Sequence, residues 1–151
     1  MYSTRIIKST ALAYFFLIAL SAAAWADPLY VEEKKARIRS GPGTGYTILW
    51  EAPRYSPLEY LAKYKDWFAV RDFQNDVGWV HKDSVAKGKA AIVIKSKVDI
   101  RKDPSVDSPI VFVVEKHYIF RVIRVKGNWL KIRDTDGEQG WIHGKLVWMA
   151  P

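Results

Sequence analysis

Trp67-Phe-Ala-Val-Arg-Asp72, running on to Gly78-Trp-Val-His81, returns later in the chain as Trp129-Leu-Lys-Ile-Arg-Asp134, running on to Gly140-Trp-Ile-His143. The offset is 62 residues at every matched position. It holds upstream as well, where Ile38-Arg39 and Pro42 align with Ile100-Arg101 and Pro104. A gapless repeat this long exceeds most solenoid units and fits a small domain duplicated in tandem.

Within each copy the residues alternate. Phe68 and Val70 point to one side, Trp67, Ala69 and Arg71 to the other, as a half-buried strand requires. Gln74-Asn-Asp76 turns the chain in the first copy. Thr135-Asp-Gly137 does so in the second, and Asp-Gly predicts a type I′ hairpin with two positive φ angles. No window of useful length has helical periodicity. Five short strands per copy, with turn signals between them, predict a small barrel. The expected fold is therefore all-β: two tandem small β-barrels, over 27–88 and 89–151, after an N-terminal leader. Ala86 to Lys89 is the candidate linker, and its shortness predicts packed or semi-rigid barrels.

Residues 1–26 read as a secretory signal peptide. Arg5 and Lys8 form a positive start, Ala11 to Leu20 an apolar stretch, and Ala24-Trp-Ala26 a small-x-small cleavage site before Asp27. The alternative is an uncleaved anchor, for which the apolar run is short. No later segment has the character of a span. The expected location is exported, periplasmic or extracellular.

The 151 residues carry 24 Lys and Arg against 16 Asp and Glu, a formal charge of +8. Without Arg5 and Lys8 the count is 22 against 16, about +6. A basic surface favours acidic partners, and export argues against nucleic acid as one of them. There is no cysteine, which excludes disulfides, thiolate metal sites and a cysteine nucleophile.

Catalytic patterns are absent. His81, His117 and His143 show no spacing that suits zinc, and Gly-x-Ser-x-Gly does not occur. A barrel of this size offers no deep cleft to desolvate a catalytic acid. The chain reads as non-catalytic, with no cofactor and no metal. His81 and His143 are expected to bond backbone in the tight turn that follows each. Arg71-Asp72 and Arg133-Asp134 are expected to form structural ion pairs. Trp79 and Trp141 are expected in core packing or over the barrel ends.

The run Ile-Arg-Ser-Gly-Pro-Gly-Thr-Gly-Tyr (38–46), then Pro-Leu-Glu-Tyr-Leu (57–61), Asp-Trp-Phe-Ala-Val-Arg-Asp-Phe (66–73) and Gly-Trp-Val-His (78–81), resembles a bacterial SH3 domain. Asn-Trp-Leu-Lys-Ile-Arg-Asp (128–134) and Gly-Trp-Ile-His (140–143) resemble it again. The resemblance implies that the two tandem small barrels are SH3-like β-barrels of five to six strands, with a binding role, commonly toward cell-wall peptide or glycan. The second copy departs in its first loop, where Lys102-Asp-Pro-Ser-Val-Asp replaces Ser40-Gly-Pro-Gly-Thr-Gly and Ser108 stands in place of Tyr46.

Aromatic side chains beside loop donors suit peptide or sugar recognition. The candidate ligand-binding residues are Tyr46, Trp50, Tyr55, Tyr64 and Trp67 in the first copy and Trp129 in the second. The leading expectation is peptidoglycan binding, to stem peptide or glycan, at a shallow groove lined by Tyr46 and Trp67. The alternative is a periplasmic adaptor with an exposed apolar face for a protein partner. The sequence fixes no oligomeric state.

Overall fold

The computed structural model describes residues 27–151. The leader expected at 1–26 lies outside them. Among the described residues, fourteen strands form two seven-stranded antiparallel sheets, each closing around its own core. In the first, β1 (Leu29–Val31), β2 (Lys35–Arg39), β3 (Ile48–Pro53), β4 (Pro57–Tyr64), β5 (Trp67–Arg71), β6 (Val77–His81) and β7 (Val85–Lys87) lie in the order β3-β2-β6-β5-β4-β1-β7. The second repeats that order with β8 (Ala90–Val93), β9 (Lys97–Arg101), β10 (Ile110–Glu115), β11 (Ile119–Lys126), β12 (Trp129–Arg133), β13 (Gln139–His143) and β14 (Val147–Trp148).

Each copy thus has seven strands rather than the five expected. The additions include β1, inside what reads as a polar lead-in, and the short β7. Leu29, Tyr30 and Val31 are all buried, because β1 is paired on both edges, by β4 and by β7. Three residues buried without alternation leave no period to detect.

The alternation on β5 is as expected. Val70 lies in the first core with Phe68 packed against it, while Trp67 and Arg71 stay half-exposed. The first core gathers Leu29, Val31, Ala36, Ile38, Ala52, Leu58, Val70 and Val80. The second is fuller, with Phe120 at its centre among Val93, Val98, Ile100, Val114, Leu130, Ile132 and Ile142. Bulges interrupt the ladders between Tyr60 and Ala62 and again between Val122 and Arg124. Each bends its long strand so that one strand serves two sides of a barrel.

Left-handed backbone recurs with the repeat. Tyr55 and His117, Lys65 and Gly127, and Asn75 and Gly137 all have positive φ. The hairpin at Thr135 to Gly137 differs from a type I′ turn, since only Gly137 of the Asp-Gly pair has positive φ. The Asp134 carboxylate shapes this turn, accepting from the backbone N–H of Asp136 and of Glu138 at 2.9 Å each.

The barrels meet directly. Tyr30 and Tyr55 pack edge to face at 6.1 Å and join Ala90 and Ile119 in a third apolar cluster. The Arg121 guanidinium lies 4.9 Å from the centre of the Tyr30 ring.

Candidate functional site: a basic, aromatic groove present twice

On β6, Gly78 and Val80 turn inward and are buried, which leaves Trp79 and His81 on the outer face. Cross-strand pairing places His81 opposite Trp67, and Trp67 opposite Tyr64. Tyr64, Trp67 and His81 therefore form a row across three strands. The Trp67 and His81 rings meet edge to face, with centres 5.3 Å apart. The second barrel sets Trp129 against His143 at the same 5.3 Å, with Lys126 in the place of Tyr64.

Beside each tryptophan runs an open groove. The first, of about 490 Å³, is lined by Lys35, Arg37, Arg39 and Thr44 with Glu33, Glu51, Trp67, His81 and Ser84. The second, of about 340 Å³, is lined by Lys97, Val98, Asp99, Arg101 and Val106 with Trp129, His143, Lys145 and Leu146. Strand alternation puts Lys35, Arg37 and Arg39 on one outer edge. Glu51 tempers that charge, pairing with Lys35 at 3.2 Å and Arg37 at 3.9 Å. In the second groove Asp99 pairs with Arg101 at 3.1 Å.

The repeated polar residues fix the walls. Arg39 Nη1 donates to the carbonyls of Thr44 and Tyr46 at 3.0 and 2.8 Å, pinning the glycine-rich loop over the groove. Arg101 Nη1 holds the Ser108 carbonyl at 3.0 Å in the same way. His81 Nδ1 accepts from the Asp83 N–H at 3.3 Å, and His143 Nδ1 from the Lys145 N–H at 3.2 Å. These histidines cap single 3-10 turns, the role expected from sequence. With Nδ1 engaged, each ring is held against its tryptophan.

The six candidate residues separate. Trp67 and Trp129 line the two grooves, and Tyr64 flanks Trp67 with 51% of its surface exposed. Tyr46 is equally exposed, but its ring lies flat on Gly41, where an added Cβ would come within 2.4 Å of it. It does not line the groove with Trp67. Trp50 packs against the first core and faces a different cleft. Tyr55, only 4% exposed, belongs to the junction of the barrels and is closed to a ligand. A turn residue at positive φ between two prolines read as surface; its burial depends on the second barrel, which no local pattern encodes.

Two further expectations change. Trp79 and Trp141 lie on the outer face, opposite Arg39 and Arg101, rather than in the cores. Trp141 is 8% exposed and so packed as expected, whereas Trp79 is half-buried. Arg71 pairs with Glu59 at 3.5 Å, not with Asp72, whose carboxylate accepts turn N–H groups instead. Arg39 and Arg101 stand out in the sequence only as repeated residues, and Lys35, Arg37 and Glu51 not at all, although Lys-x-Arg-x-Arg at 35–39 carries a period-2 signal for the cations.

Among the described residues no three His, Asp or Glu side chains gather as a metal site, and no helix is long and apolar enough to cross a membrane.

Residues 34–86 and 95–149 each match a bacterial SH3 domain family. The Bacillus subtilis (strain 168) protein YrvJ, described as a candidate N-acetylmuramoyl-L-alanine amidase, is 23% identical over 140 residues, covering 81% of this chain. The match spans 27% of that relative, so the chain corresponds to about a quarter of its length. Among solved structures, NlpC1 from Trichomonas vaginalis aligns over 84% of this chain and 47% of its own, at 13% identity and a TM-score of 0.37. An NlpC/P60 family protein from Bacillus cereus ATCC 10987 aligns over 82% and 57%, at 10% identity and a TM-score of 0.38. Likeness at that level carries no functional weight.

Proposed function

Both halves of this chain belong to the bacterial SH3 domain family, and from that premise we propose that it is an exported, non-catalytic protein that binds peptidoglycan. The ligand is a stem peptide or glycan strand, held chiefly in the first groove. The observation that carries this reading is the row Tyr64, Trp67 and His81 beside a groove edged by Lys35, Arg37 and Arg39. Aromatic faces suit sugar rings or peptide stems, and the cations suit their carboxylates. The relation to a candidate cell-wall amidase supports the same ligand. A shallow groove of this kind gives weak affinity, about μM to mM.

The test is co-sedimentation with purified sacculi at low and high salt. Binding is expected to survive salt, to fall about tenfold in Trp67→Ala, and to change less in Trp129→Ala. Loss of binding in salt to the same degree in all three proteins would refute it.

One feature favours a protein partner instead. The edge strand β10 exposes Ile110, Val111 and Val113, and β3 exposes Ile48 and Leu49. An adaptor using these strands would bind with little salt dependence and be indifferent to Trp67→Ala.

A further inference from the structure

Among the equivalent positions at which the two barrels differ are Ser56 and Tyr118. Their backbones are superposable in hydrogen bonding. Each follows a left-handed residue, Tyr55 at φ 68° or His117 at φ 73°. Ser56 donates its N–H to the Pro53 carbonyl at 3.0 Å, and Tyr118 to that of Glu115 at 3.2 Å. Their own carbonyls accept from Val31 and Val93.

Facing them are equivalent carboxylates. Asp72 Oδ1 accepts from the N–H groups of Gln74 and Asp76, as Asp134 Oδ1 does from Asp136 and Glu138. In the second barrel the other oxygen is also engaged. Tyr118 Oη donates to Asp134 Oδ2 at 3.2 Å, its ring packs 5.0 Å from Phe120, and Asp134 is buried. In the first barrel the Ser56 hydroxyl turns back to the Pro53 carbonyl at 2.6 Å. No described residue donates to Asp72 Oδ2.

Where the phenol ring sits in one barrel, the other has a cleft of about 440 Å³. That volume falls within the range of small-ligand sites, about 300–1,000 Å³. Its apolar wall includes Trp50, Pro57 and Phe73, Asp72 lies in its lining, and the second barrel closes it with Ile92, His117 and Ile119. No lysine or arginine lines it.

We propose that this cleft receives a tyrosine side chain from a peptide partner, the phenol donating to Asp72 Oδ2 and the ring packing on the apolar wall. Tyr118 on Asp134 is the same contact made internally. A phenylalanine fills the wall but leaves the carboxylate unmet. A lysine meets the carboxylate but leaves the wall bare. This cleft and the cell-wall groove share one lining residue, Glu51, and are otherwise lined by different residues.

The test is an NMR titration of the chain with N-acetyl-tyrosinamide, N-acetyl-phenylalaninamide and N-acetyl-lysinamide. The Trp50 indole N–H and the amides of Phe73 and His117 are expected to shift with the tyrosine probe. The phenylalanine probe is expected to bind at least about tenfold more weakly, the worth of one hydrogen bond to a charged group, and the lysine probe by about the same factor for the ring burial it lacks. Ser56→Tyr, which builds the internal plug into the first barrel, is expected to erase the response. Asp72→Asn, which keeps the Oδ1 acceptor for the turn, is expected to weaken it by a similar factor, and decides the matter should Ser56→Tyr disturb the fold. Equal response to all probes, no response to any, a preference for lysine, or full response in a folded Ser56→Tyr or Asp72→Asn protein would overturn the proposal.

Discussion

The second barrel has an aromatic ring at the centre of its core where the first has none: Phe120 stands at the position of Leu58. Trp50, Tyr60 and Phe68 are only partly buried against a small aliphatic core in the first. In the second, Phe120 is fully buried, with Phe112 and Tyr118 against it at 6.5 and 5.0 Å. The same ladder order supports both arrangements. One framework, duplicated, has an open cleft in its first barrel and, at the equivalent place in the second, a tyrosine bonded to the turn carboxylate.

The sharpest way to break that contrast is at its centre. Phe120→Ala is expected to cost about 3–5 kcal/mol, against about 2–5 for the equivalent Leu58→Ala. Denaturant unfolding would check this, with Phe120→Ala expected to be the larger. Gly78→Ala and Gly140→Ala probe what the barrels share. An added Cβ would lie 2.4 Å from Ile38 Cγ2 in one and 2.3 Å from Ile100 Cγ2 in the other. Each is expected to cost about 1–3 kcal/mol, and nearly the same amount, because the obstacle is the same.

Tyr118→Phe isolates the hydrogen bond found in only one barrel, and is expected to cost about 1–2 kcal/mol at neutral pH. Burial, and then the Asp134 charge, raise the Tyr118 pKa above 10.0. The folded state therefore holds that proton more tightly than the unfolded chain. The resulting stability is complete below pH about 10 and is lost as pH rises through the folded pKa. Burial raises Tyr30 as well, so alkaline destabilisation is expected to become shallower in Tyr118→Phe without disappearing.

The smallest effect concerns Asp66 and Lys82, joined at 2.8 Å where the second barrel has Asn128 and Gly144. The hydrogen bond and charge of Lys82 hold the Asp66 carboxyl below its ordinary pKa. Lys82→Ala is expected to return that titration upward by NMR while leaving the unfolding midpoint in place, since the pair is exposed.

Much of the fold was legible because the repeat turned one ambiguous pattern into two agreeing ones. Trp67 and Trp129, the capping histidines and the inward Val70 and Ile132 all follow from period-2 alternation and a constant offset. The rest depended on contacts across sequence distance. Leu29 to Val31 is paired by β4 and β7, and Tyr55 is buried among Tyr30 and Ala86 of its own barrel and Ala90 and Ile119 of the second. The separation of Tyr46 from Trp67 was hidden for another reason: it is set by the ring's choice to cover Gly41, a rotamer question that spacing does not address.

Tyr30, held between Tyr55 and the Arg121 guanidinium, makes the two grooves parts of one solid piece. A flexible pair of modules adapts its reach to any polymer. A polymer that filled both grooves at once would have to present its binding units at the one distance this junction sets.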